Sequence, residues 1–152
     1  MFNRTLVANY ITFEITEGSI IKDPDRALEI LTRLADMGIK ISIDDFGTGY
    51  SSLAYLKKLP ASELKIDKSF VQDMLNNEND EVIVRSTIDL AHNMDLKVVA
   101  EGAEEKETVA HLRTLGCDII QGYYFSKPLN GTDCTIWLNN YQTENKDNFS
   151  QA

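Results

Sequence analysis

The sequence predicts an α/β fold of about five parallel strands with helices outside them, an incomplete (β/α)8 barrel. Three observations carry this reading. Strand-like and helix-like segments alternate along the chain, the strands have one apolar and one polar face, and several strands end in ionisable or amide side chains.

The elements follow in order. Ile11, Phe13 and Ile15 alternate with polar residues, which predicts a strand over Ile11 to Thr16. Asp23-Pro24 is an N-cap followed by proline at the first helical position. Leu28, Leu31, Leu34 and Ala35 then recur at helical spacing, and Gly38 is the stop. A second strand covers Lys40 to Asp45. A Gly-rich turn and a short helix bearing Leu53 and Leu56 follow, with Pro60 beyond its end. Glu63 to Asp67 reads as a third strand. Val82, Ile83, Ile88, Leu90 and Ala91 give an apolar side to a helix over Asp80 to Met94. Lys97 to Glu101 is a fourth strand, and Glu105 to Leu115 is a helix stopped by Gly116. Ile119 to Phe125 reads as a fifth strand, Gly131 to Tyr141 as a last helix, and the polar residues 142–152 as a disordered tail.

Strand–helix repetition implies a parallel sheet with helical crossovers, closed as a barrel or doubly wound. Side-chain parity favours the barrel. Phe13 and Ile15 oppose Thr12, Glu14 and Thr16; Ile41 and Ile43 oppose Ser42 and Asp44; Leu64 and Ile66 oppose Glu63, Lys65 and Asp67. A doubly wound sheet buries both faces and reads as more uniformly apolar. A barrel turns one face inward, where polar groups near the strand C-termini line a site.

Composition narrows the function. No run approaches the roughly 18 apolar residues of a membrane span, and the N-terminus lacks the pattern of a secretion signal. Cys117 and Cys134 are the two cysteines, too few for a disulfide framework, so the expected compartment is the reducing cytoplasm, with attachment to a larger membrane protein left open. The net charge of −9 argues against binding DNA or RNA polymers, which needs a basic surface. A small anionic ligand is still allowed where metal ions or local lysines reverse the field.

Parallel strands deliver Glu14, Asp44, Asp45, Lys65, Asp67, Glu101 and Gln121 to one side of the sheet. Taken singly, each has a plainer role: a surface ion pair for Glu14, turn capping for Asp44-Asp45, a solvated amine for Lys65. Together they form an acid cluster that needs cations. Hard oxygen donors suit magnesium or manganese, and a shared carboxylate permits two-metal phosphoester chemistry. Lys65 would orient the attacking water or stabilise developing negative charge. His92 and His111 fall on helices and are expected to be surface or packing residues.

Local strings then make a family resemblance. Phe13-Glu14-Ile15-Thr16-Glu17, Asp44-Asp45-Phe46-Gly47-Thr48-Gly49-Tyr50-Ser51-Ser52-Leu53, Leu64-Lys65-Ile66-Asp67-Lys68-Ser69-Phe70-Val71, Ala100-Glu101-Gly102-Ala103-Glu104 and Gln121-Gly122-Tyr123-Tyr124-Phe125-Ser126-Lys127-Pro128 resemble, in order, motifs of EAL domains. That family comprises metal-dependent phosphodiesterases that hydrolyse cyclic di-GMP to linear pGpG. Ala103 stands where valine is usual.

The resemblance implies roles. Glu14, Asp44 and Asp45 are expected metal ligands, with Asp44 bridging two Mg2+ or Mn2+ ions. Lys65 is the expected holder of the nucleophilic water, and Glu101 a general base or metal-linked carboxylate. Glu104 and Gln121 are expected near the metals and the guanine, and Glu17 is expected to anchor the Asp44-to-Leu53 loop. It also implies that residues 1–141 form only the C-terminal part of the domain. The Glu-Ala-Leu motif and a following asparagine ligand have no counterpart here, which leaves the two-metal site incomplete. Expected partners are cyclic di-GMP, further signalling domains of a longer protein, and either a second copy or the missing N-terminal half to cover the open barrel edge. The alternative reading is a non-catalytic module that binds cyclic di-GMP or a protein.

Overall fold

The computed structural model describes residue 8 and residues 10–46 and 53–144; the side chains at 17, 20, 21 and 142–144 are outside that description. The expected loop-anchoring role of Glu17 and most of the Gly-rich turn therefore lie outside the described residues.

Five strands form one parallel sheet in the order of the chain: β1 (Thr12–Thr16), β2 (Lys40–Phe46), β3 (Glu63–Ile66), β4 (Lys97–Ala100) and β5 (Ile119–Ile120). A doubly wound sheet reverses strand order at a switch point. This sheet does not: its strands follow one another in chain order, as in a barrel wall. The helices are α1 (Glu17–Lys22), α2 (Pro24–Asp36), α3 (Leu53–Leu56), α4 (Lys68–Asp73), α5 (Glu78–His92), α6 (Lys106–Thr114) and α7 (Gly131–Glu144).

Local chemistry sets the helix starts. The Asp23 carboxylate accepts from Arg26 N–H at 3.3 Å, and Pro24 opens α2. Asn77 accepts from Asn79 N–H at 3.0 Å, and Glu78, Asp80 and Glu81 place negative charge in the first turn of α5. Asp67, read from sequence as the end of β3, instead caps α4: its carboxylate accepts from Ser69 N–H at 2.9 Å. That cap ends the strand at Ile66.

The parity argument is borne out. Ile41 and Ile43, Leu64 and Ile66, and Val98 and Ala100 share a core with Leu31 of α2, Leu56 of α3, Val71 of α4, Val84 and Ile88 of α5, and Val109 and Leu112 of α6. The opposite face carries Glu14, Ser42, Lys65 and Val99, paired across strands as Glu14 with Ser42 and Lys65 with Val99.

The alternation breaks once. Ile43 lies opposite Leu64 and Phe46 opposite Ile66, so β2 spends one more residue than β3 over the same span. This β-bulge falls at Asp44-Asp45, where Asp45 has φ of 57°. Aspartate tolerates the left-handed region better than most side chains. The bulge returns Phe46 to the core face, where it is buried, while two consecutive carboxylates stand at the strand end.

The far edge is shorter than the sequence suggests. β5 ends at Ile120, not Phe125, because the chain turns back onto the segment after β4. Ala103 N–H donates to Gln121 O at 3.1 Å, and Tyr124 N–H donates to Ala103 O at 3.1 Å. Gly122 makes this possible: a Cβ there would stand 2.0 Å from Ala103 O. Gly102, at φ +75°, is held as closely, since a Cβ would lie 2.5 Å from Lys68 Cβ. At the other end of β5, Val98 faces Asp118, one position before the strand pairing begins. The Asp118 carboxylate accepts Val98 N–H at 2.8 Å and meets His92 Nε2 at 2.9 Å. Partial burial raises the Asp118 pKa, but these partners and Lys97 outweigh it and hold it below the ordinary value.

Three outcomes follow from this architecture. Ser42 Oγ is buried on the polar face and finds no hydrogen-bond partner among the described residues. Ser42→Ala should therefore raise stability by about 1 kcal/mol, read as a higher urea midpoint at constant slope. Gly122→Ala should cost at least about 2 kcal/mol in the same assay, because backbone must move. The depressed Asp118 pKa contributes stability that is complete above the ordinary carboxylate value near ~3.9 and is lost as pH falls through the lower folded value. Asp118→Asn should cost about 1 kcal/mol or less at neutral pH, given partial exposure, and its deficit should shrink in acid. A deficit constant from pH 7 to 3 would contradict this.

Candidate active site

The polar face of the sheet converges on Lys65. Its side chain rises from β3, the middle strand, and is only 5% exposed. Its Nζ lies 2.9 Å from Glu14 Oε2 of β1, 3.4 Å from Asp44 Oδ1 of β2 and 2.6 Å from Glu101 Oε1, just beyond β4. One ammonium thus joins carboxylates delivered by three other strands. Glu14, on the edge strand, is 53% exposed, whereas Asp44 and Glu101 are mostly covered.

Burial alone would lower the Lys65 pKa. The hydrogen bonds to Glu101 and Glu14, with the charges of Glu101 and Asp44, more than reverse this and hold it well above its ordinary value. Lys65 is therefore a fixed cation at any physiological pH. Three carboxylates around one ammonium still leave excess negative charge, and the adjacent Asp45 adds to it. Asp44 is held by more than the lysine, since its Oδ1 also accepts Asp45 N–H at 2.9 Å.

Glu104 and Gln121 lie beside this cluster. They line a polar cavity of about 220 Å3 with Glu101, Lys68, Gln72, Gly102, Gly122 and Tyr123. Gln72 Nε2 donates to Glu104 Oε1 at 3.2 Å. Glu101 belongs to both places, touching Lys65 and facing the cavity. A larger cavity of about 590 Å3 opens beside β5 among Ile119, Gln121, Tyr123, Phe125, Trp137 and Tyr141. The acid cluster does not line it, so the smaller cavity is the better candidate for chemistry.

Lys68 and Gln72 were not singled out from sequence. Both belong to α4, a six-residue helix whose one readable signal was the Asp67-Lys68-Ser69 cap. His92 pairs with Asp118, and His111 lies 3.4 Å from Glu81, so neither joins the site.

Glu14, Asp44 and Asp45 suit a hard divalent ion in kind. Their placement is another matter. Among the described residues, no three acidic, histidine or cysteine side chains are grouped to hold one ion. The Lys65 ammonium stands between Glu14 and Asp44 instead.

Comparison with known proteins supplies the context. The EAL domain profile matches residues 1–128. Cyclic di-GMP phosphodiesterase NbdA of Pseudomonas aeruginosa is 45% identical over 124 residues, 82% of this chain and 16% of that protein. The solved complex of the PaMucR phosphodiesterase with c-di-GMP superposes with a TM-score of 0.81 at 43% identity, covering 84% of this chain and 51% of that one. The manganese/cy-diGMP complex of Klebsiella pneumoniae BlrP1 superposes with a TM-score of 0.73 at 33% identity, covering 80% of this chain and 31% of that one. The chain thus spans less than a fifth of that curated relative and about half of the PaMucR chain. Its five strands form part of the TIM-type barrel of these domains. The chain belongs to the EAL domain family.

Proposed function

We propose that this chain carries the lysine–carboxylate part of a phosphodiesterase site that hydrolyses cyclic di-GMP to pGpG. The observation that supports it most is the Lys65 ammonium in contact with Glu14, Asp44 and Glu101 at one mouth of the sheet.

The geometry supports the following roles. The contact of 2.6 Å with Lys65 aims the Glu101 carboxylate, so that it can accept a proton from an attacking water. Lys65, a permanent donor, would orient that water or stabilise charge developing on the phosphate. Gln121, Glu104 and Lys68 line the adjoining cavity and offer amide, carboxylate and ammonium groups to a guanine and its phosphate. Glu14, Asp44 and Asp45 are the oxygen donors offered to Mg2+ or Mn2+. When bound, such ions would neutralise phosphate charge and lower the pKa of the attacking water.

The coverage of its relatives supports reading the chain as part of a domain, and α7, which runs to Glu144, carries its last helix past the expected tail boundary at 142. We assign the remaining ion ligands to further strand–helix units of a longer protein, joined there to other signalling domains. No helix among the described residues is long and apolar enough to cross a membrane, and Cys117 and Cys134 are free thiols; both agree with a cytoplasmic place. The exposed Glu14 and the lack of a three-acid group among the described residues favour, as a second reading, a module that binds cyclic di-GMP without cleaving it.

Incubation with cyclic di-GMP and Mn2+ or Mg2+, followed by chromatography, separates the two. Formation of pGpG is expected where the rest of the domain supplies the remaining ion ligands, reduced about 100-fold or more by Lys65→Ala or Asp44→Asn. Binding without pGpG would favour the second reading, and undiminished turnover by Lys65→Ala would overturn the first.

A further inference from the structure

We infer that Lys65 is the resident counter-ion of the acid cluster, and that a divalent cation must compete with it for Glu14 and Asp44. The inference rests on the divalent-ion part of the reading above and adds a role for Lys65 distinct from handling water.

The placement of the donors is what requires it. Glu14 and Asp44, the two acids offered to an ion from different strands, lie 2.9 and 3.4 Å from the same Nζ. An ion drawing both carboxylates together would meet the ammonium that already bridges one oxygen of each. No three-acid group exists among the described residues that could hold the ion elsewhere.

The surroundings give Lys65 nowhere equivalent to go. Its side chain is 5% exposed, and its flanking core-face neighbours Leu64 and Ile66 are fully buried, so the strand cannot rotate to release it. Glu101 is the partner it can keep. That contact, at 2.6 Å, is the shortest of the three, and Glu101 comes from the side of the sheet away from β1 and β2. The lysine can thus surrender Glu14 and Asp44 while remaining paired with Glu101.

The cluster is built to be cohesive before any ion enters. Glu14, Asp44 and Glu101 repel one another, and one buried ammonium offsets that repulsion from the centre. The same charge opposes an incoming cation. Lys65 therefore sets both the stability of the ion-free site and the affinity of the loaded one, in opposite directions.

The test uses the full chain without nucleotide. Thermal unfolding in EDTA and Mn2+ titration by calorimetry are compared for wild type, Lys65→Met and Lys65→Arg. Lys65→Met should lower Tm in EDTA by about 5 °C or more and bind Mn2+ at least about tenfold more tightly. Lys65→Arg, which keeps the charge, should restore Tm and the weaker binding. Mn2+ affinity unchanged or weakened in a folded Lys65→Met would overturn the inference, as would absence of binding in both proteins.

Should Lys65→Met not fold, the wild-type Lys65 Nζ resonance decides. It should be protected from exchange in EDTA and shift on adding Mg2+; an unmoved resonance at saturating Mg2+ overturns the inference. Failure to produce pGpG, with these shifts observed, would remove the catalytic reading and leave this one standing.

Discussion

A single buried ammonium organises the polar side of this sheet. Acids from three strands meet at Lys65, and without it their mutual repulsion would push the strand ends apart. Strand positions that look independent along the chain are coupled through this one atom. The site and the sheet therefore share a determinant, because the cation that would serve chemistry also holds β1, β2 and the end of β4 together.

Two backbone devices bring the acids within reach. The bulge in β2 uses an extra residue at Asp44-Asp45, so that the strand ends with two carboxylates and still returns Phe46 to the core. On the other side, Gly102 and Gly122 let the segment after β4 and the turn after β5 approach more closely than any side chain would allow. That contact fixes Glu101 beside Lys65 and Gln121 beside Glu104. Precision at the site is thus set by backbone contacts made where side chains are absent or where the strand count slips.

Much of this was legible in the sequence, for physical reasons that can be named. Alternation along β2 and β3 marked which face meets the helices, because each apolar side chain there has the same parity as its neighbours. The polar residues of the opposite parity were visible too, and Glu14, Asp44, Lys65 and Glu101 do converge. The burial of Lys65 was not visible, since its partners come from strands distant in the chain. Nor was the bulge: counting straight through β2 would put Phe46 on the polar face, and only pairing with β3 reveals the inserted residue. β5 was read too long because Tyr123 and Phe125 continue an apolar pattern, while the hydrogen bonds that fold the turn back belong to Ala103. Helix α4 escaped notice because six residues give too few turns for a periodic signal.

The unequal lengths of the two sheet margins have a consequence for self-association. β1 presents five residues at one margin and β5 only two at the other. Head-to-tail stacking of identical chains would be heterologous, the kind of contact that propagates into filaments when it does not close. With one margin this short, such a junction could form few ladder bonds. The early end of β5 thus limits how many ladder bonds a strand docking on that side could make, whether it comes from a second copy or from the rest of a longer chain.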